Sequence, residues 1–193
     1  MLIIAGLTKM KYKIKDYMPK AVIVVAIFAS FSATAECFYD VIQSTAPDSR
    51  FNVNNDGTVT DKSTGLIWKQ CSEGQTVNAT CTGQPAPYYW QDAIARANLA
   101  NNVNFADASN WRLPNIKELV SLNEYACQTP MINTNVFPNT TTVVDRRYWS
   151  STTKSGGLAN PTVAWYLNID NGEVFYRDKD ANQYHVRLVR SPN

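Results

Sequence analysis

The residues best placed to do chemistry in this 193-residue chain flank Asn171-Gly172. Asn-Gly suits a two-residue type I′ turn, so residues 163–170 and 173–178 read as the arms of a hairpin. That closure opposes Asp170 with Glu173, Asn168 with Phe175 and Tyr166 with Arg177 on one face, because side chains alternate along a strand and opposed residues share a face. Ile169 with Val174 and Leu167 with Tyr176, beside Trp165, occupy the other. The first strip joins flat rings, which stack on the C–H face of a sugar, to amide, carboxylate and guanidinium groups that meet hydroxyls. Asp170 with Glu173 would be its place for calcium, an ion with no firmer support, and no cofactor is implied. Residues 52–57 (NVNNDG) begin like an EF-hand loop, but its twelfth position is Ser63 where a bidentate Glu belongs; a polar turn is the better reading. Upstream of the hairpin, Arg146 and Arg147, with Lys154 near in sequence, are of the type that holds sulfate or carboxylate. Most of the five tryptophans, next to strands or helices, should be core, and Trp149 is the one expected at the surface.

Bond-making chemistry has less to work with. Ser150-Ser151 lacks a nucleophile-elbow frame, His185 is the only histidine, and the acids are scattered, mostly in turns, without the context of a glycosidase pair. The expectation is a protein that is not an enzyme. Cys37, Cys71, Cys81 and Cys127 lack the spacing and histidine partners of a metal site. An even cysteine count in an exported domain points instead to two disulfides, and three pairings are open. The favoured one joins Cys71 to Cys81 across a short Gly/Thr/Asn-rich loop and ties Cys37 to Cys127.

The elements that must position these residues are legible in outline. Residues 51–61 (FNVNNDGTVTD) read as two short strands about a turn at Asp56-Gly57, and Leu66-Ile67-Trp68 begins a further strand. Residues 72–87 should be loop. Trp90, Ala93, Ile94, Ala97 and Ala100 make one apolar stripe at helical spacing, with Gln91, Asp92, Arg96 and Asn102 opposite. A second helix starts at an Asn115 cap with Glu118 completing a capping box, after Pro114 has kept its predecessor extended. Leu119, Val120 and Leu122 should face inward, and Arg112 needs an acid on a neighbouring element. Residues 131–145 should form a long irregular loop, a feature often functional. Residues 184–190 read as a last strand, His185, Arg187 and Val189 on one side, Val186, Leu188 and Arg190 on the other. Two helices among short antiparallel strands make an α+β domain.

The first 35 residues read as an address. Five lysines precede the apolar run 21–31, and Ala33-Thr34-Ala35 offers a cleavage site, the layout of a signal peptide; Met10, opening MKYKIK, is the more typical start. The run is shorter than the about 20 residues of a membrane span, so no span is expected after cleavage. The whole chain carries 18 basic against 16 acidic residues, but the signal takes five lysines and Asp16 with it, leaving 13 against 15 in residues 36–193. A nucleic-acid binder normally shows a basic surplus; nucleic acid is not an expected partner.

Four phrases, GLIWKQC, WRLPNIKEL, YWSSTT and HVRLVR, recur in one order with a WQDAIARAN helix and an AWYLNIDNGEV hairpin between them. Together, over residues 51–190, they resemble the bacterial family named for the C-terminal domain of the Legionella collagen-like adhesin. The resemblance implies a C-type-lectin-like single domain over residues 36–193, an extracytoplasmic setting (secreted, periplasmic or cell surface) and, for the named member, adhesion through sulfated polysaccharides such as glycosaminoglycans. That adhesin's collagen-like repeat is absent from this chain. RLPNIKEL and RLVR also look like formylglycine-generating domains, but those rely on cysteines near the end, and none follows Cys127. The expected function is a binding module for a glycan or surface polymer; the alternative is an accessory subunit that binds an envelope or pilus protein.

Overall fold

A computed structural model of the protein describes residues 36–140, 145–154 and 162–192. The expected export signal lies outside the described residues, as does the 141–144 part of the long loop. In chain order the elements are β1 (Glu36–Cys37), β2 (Phe51–Val53), β3 (Thr58–Asp61), β4 (Ile67–Lys69), α1 (Trp90–Asn102), α2 (Ile116–Val120), β5 (Cys127–Gln128), β6 (Arg147–Thr153), β7 (Val163–Asn168), β8 (Glu173–Asp178) and β9 (Val189–Arg190). They form an α+β domain with three small sheets, ordered β1-β5, β2-β3-β4-β9 and β6-β7-β8, each pairing antiparallel. No helix among the described residues is long and apolar enough to cross a membrane. Both disulfides are the expected ones, Cys37–Cys127 and Cys71–Cys81. Bonds of this kind persist in oxidising compartments outside the cytosol.

The β6-β7-β8 sheet separates two apolar cores, and period-two alternation decides what enters each. Tyr148 and Leu167, directly opposed, face a core with Phe51, Trp68, Leu119 and Phe137. Their neighbours Trp149 and Tyr166, also opposed, face a second core built with Trp90, Ala93 and Ala97 of α1 and with Trp111 and Tyr184. The C-terminal segment stitches the sheets together. His185 bridges Tyr148 in parallel, Val189 bridges Arg112, and Val189 and Arg190 extend the four-stranded sheet. Its regular strand is therefore shorter than the sequence suggested, and residues 184–189 are all buried. Val186 and Leu188 join the second core and Val189 the first.

Local signals place the helices. The Asn115 side chain accepts from Glu118 N at 3.0 Å, and Glu118 Oε2 accepts from Asn115 N at 2.7 Å. The same carboxylate takes both arms of the Arg112 guanidinium at 2.7 Å each, so the acid that Arg112 needs is the one that caps the helix beside it. Leu119 and Leu122 are buried as expected, while Val120 is half-buried against the first core. Residues 131–140 of the long loop are largely packed down: Ile132, Val136 and Phe137 belong to the first core.

Candidate binding face

The hairpin register differs from the two-residue closure. β7 ends at Asn168 and β8 resumes at Glu173, so Tyr166 opposes Phe175, Asn168 opposes Glu173 and Ala164 opposes Arg177. Ile169, 3 % exposed, is the cause. Core burial draws it out of the ladder, and its backbone pairs instead with Arg146 O at 3.0 Å and Met131 N at 2.6 Å. The turn that results is closed by Gly172 N to Asn168 O at 2.8 Å, with Gly172 at φ +72°, a conformation that favours glycine. The slip moves each partner by two, so every side chain keeps its face. Tyr166, Asn168, Glu173, Phe175 and Arg177 therefore still share one side.

Asp170 leaves that strip. Its carboxylate pairs with the Arg146 guanidinium, which is itself buried and also donates Nε to Thr140 O at 3.3 Å. Arg146 is thus a structural tie rather than an open anion site, and Asp170 is drawn to it instead of joining Glu173 as a calcium pair. Glu173 is exposed and accepts from Asn171 Nδ2 at 2.8 Å. Among the described residues no group of three or more His, Cys, Asp or Glu side chains is arranged to hold a metal.

Trp149 is also corrected: it is wholly buried, with Nε1 donated to Tyr88 O at 2.9 Å and its ring 4.6 Å from that of Tyr184. On β6 it points at α1 rather than at solvent. Tyr166 is 6 % exposed, its ring 4.7 Å from Tyr184 and edge-on to Trp149, so it forms the floor of the face.

What remains open runs along edge strand β8 and the end of β6. Phe175 is 50 % exposed, and Arg177, also exposed, holds its guanidinium 5.5 Å from the Phe175 ring centre. The partly exposed Arg147 side chain sits 5.8 Å from the Tyr166 ring and 5.5 Å from the Tyr184 ring. Both distances lie within the about 6 Å at which a cation is held by an aromatic face. Burial disfavours the Arg147 charge, but the Tyr184 phenol and the nearby Asp145 carboxylate, 3.3 Å away, outweigh it and raise its pKa. Tyr184 was missed in the sequence. Its signal was position: it begins the segment that ends in HVRLVR, on the same side as the apolar Val186 and Leu188.

The arrangement is two guanidinium–aromatic stacks with an amide, Asn168, and a carboxylate, Glu173, at their side. Guanidinium edges bind planar anions, and the Phe175 ring offers an apolar face.

No curated protein matches the chain. Residues 57–190, well over half of the chain, match the family model of the Lcl C-terminal domain, and the chain belongs to that family.

Proposed function

We propose that the protein is an exported binding module that recognises a glycan or other surface polymer through the open face of β6-β7-β8, in adhesion or envelope function, and that it performs no turnover. The observation behind this reading is the pair of stacks, Arg147 on Tyr166 and Tyr184, and Arg177 on Phe175, on a face that α1 covers only in part. A sulfated or carboxylated sugar would meet guanidinium edges and an apolar ring together, and Asn168 would take a hydroxyl. The adhesin for which the family is named gives the same direction, as does the lectin-like architecture its resemblance implies. A glycan array probed with the exported protein at low and high salt, with and without calcium, tests this. Binding should favour anionic glycans and weaken with salt. An array with no signal under all four conditions would sink the reading.

A second reading, an accessory subunit that docks on an envelope protein, has one observation in its favour. Phe38, Tyr39, Val41 and Ile42, just after the Cys37–Cys127 bridge, are 39–81 % exposed, with Tyr125 beside that bridge also exposed. Co-purification of one envelope partner from a silent array, lost on Val41→Asp, would support it.

A further inference from the structure

Away from the binding face, the loop closed by Cys71–Cys81 folds back over the β2-β3 turn and encloses a cleft of about 390 Å³, within the range of about 300–1,000 Å³ of small-ligand sites. The two walls are in close contact. Gly57 sits at φ +80°, and a Cβ placed there would come within 2.4 Å of Val77 Cγ1, so only glycine lets the loop seat on the turn. Gln70 N donates to Gly57 O at 2.9 Å and fixes the floor.

The chemistry of the lining is narrow. Asn54, Asn55, Gln70 and Asn78 supply amides, and Val53, Val77 and Ala79 supply small apolar surface. Among the described lining residues Asp56 is the only carboxylate and there is no cation; one Asp56 oxygen is occupied by Thr58 N and Oγ1 at 3.0 and 2.7 Å. Several amide groups have capacity to spare. Asn55 makes no hydrogen bond to a described residue, and Asn54 commits Nδ2 to Thr58 and Thr60 while its Oδ1 accepts from none. Gln70, only 4 % exposed, donates Nε2 to Val136 O at 3.1 Å, which leaves its Oε1 without a described donor.

We propose that this cleft binds an uncharged mono- or disaccharide, as a site separate from the guanidinium face. Planar amides meet vicinal hydroxyls as paired donor and acceptor, the valine and alanine surface takes the C–H face of the ring, and the described lining residues include no cation for a sulfate or uronate to pair with. Selectivity is thus opposite to that of the β6-β7-β8 face.

The test is amide NMR of the ¹⁵N-labelled protein, expressed from the full chain into an oxidising compartment, titrated with maltose, cellobiose, lactose and chitobiose at low and high salt. At least one sugar should shift the amides of Asn55, Gly57, Val77 and Ala79, with an affinity that salt leaves unchanged. Asn55→Ala should weaken that affinity about fivefold, the loss of roughly one hydrogen bond. Ala79→Trp should fill the cleft and abolish binding without lowering the unfolding temperature, and Arg177→Ala should change nothing here, which separates this site from the guanidinium face. The proposal is overturned if all four sugars leave these amides unmoved, or if Ala79→Trp binds as well as the parent.

Discussion

Arg187 carries a full charge into the interior, where oxygen atoms without charge receive it. Its guanidinium donates to Lys69 O at 3.1 Å, to Gln70 O, and to the Ser72 and Thr140 hydroxyls at 3.1 and 3.4 Å, and it lies 4.7 Å from the Phe137 ring. Burial pulls its pKa down, and Tyr148 opposes that pull. Arg187→Met would strip several buried acceptors of their donor at once, and urea unfolding should show a loss of about 3 kcal/mol or more. The binding face divides in the same terms. Tyr166→Ala removes a ring from the second core and should cost about 3–5 kcal/mol. Phe175→Ala and Arg177→Ala, at exposed positions, should leave stability within about 0.5 kcal/mol and weaken glycan binding about tenfold. Calorimetry on the three variants checks both halves; a stability loss for Phe175→Ala as large as for Tyr166→Ala would place that ring in the core.

At the scale of elements, α2 is too short to stand on propensity and depends on how its first turn is closed. Asn115→Ala breaks the capping box and should cost about 1 kcal/mol. Glu118→Ala should cost more, because it removes the other half of the box and also releases the Arg112 fork; burial pushes the Glu118 pKa up, yet Arg112 and the Asn115 backbone outweigh it and hold the carboxyl below its usual range. Thermal unfolding of the two variants should rank them in that order. The β7-β8 turn has its own dependence. Gly172→Ala would force a Cβ onto a positive φ with Met131 Sδ at 3.1 Å and Asn123 Nδ2 at 3.2 Å, and should destabilise by about 1 kcal/mol or more.

At the scale of the whole molecule, covalent closure and pH set the limits of stability. Cys37–Cys127 spans 90 residues, and removing it as a double Ser variant should cost about 4–5 kcal/mol in the chain-entropy account. Acid should act in two stages. Burial lowers the His185 pKa, against the opposing effects of Ala86 O and Asp145. The unfolded chain therefore binds that proton first, and stability falls as pH drops below about 6.5, the ordinary histidine value. For Asp61 and Glu124, burial pushes upward but is outweighed. Arg50, Thr64 and Ser63 hold Asp61 down, and Ser44, Ala126, Ala46 and Thr45 hold Glu124 down. Their contribution is present above the ordinary carboxylate range and lost as pH falls through their depressed values. His185→Gln should remove the first stage and keep the second, seen in unfolding midpoints from pH 7.5 to 3.

The sequence by itself determined what local rules govern. Asn115 and Glu118 announced a capped helix, Trp90 and the alanines after it announced a buried stripe, and the cysteine count announced two bridges, whose favoured pairing among three is the one that forms. It also determined that Tyr166, Asn168, Glu173, Phe175 and Arg177 share a face, since period two survives a slip of two. Only the tertiary structure decided which of those side chains water reaches. Alternation gives a residue a side, but whether that side is covered depends on elements far away in the chain. Thus α1 buries Trp149 and Tyr166, Ile169 is drawn into the first core and shifts the turn, Arg146 captures Asp170, and the disulfide loop closes a cleft over the β2-β3 turn. Packing between distant segments leaves no periodic trace in either of them, which is why those outcomes were not there to be read.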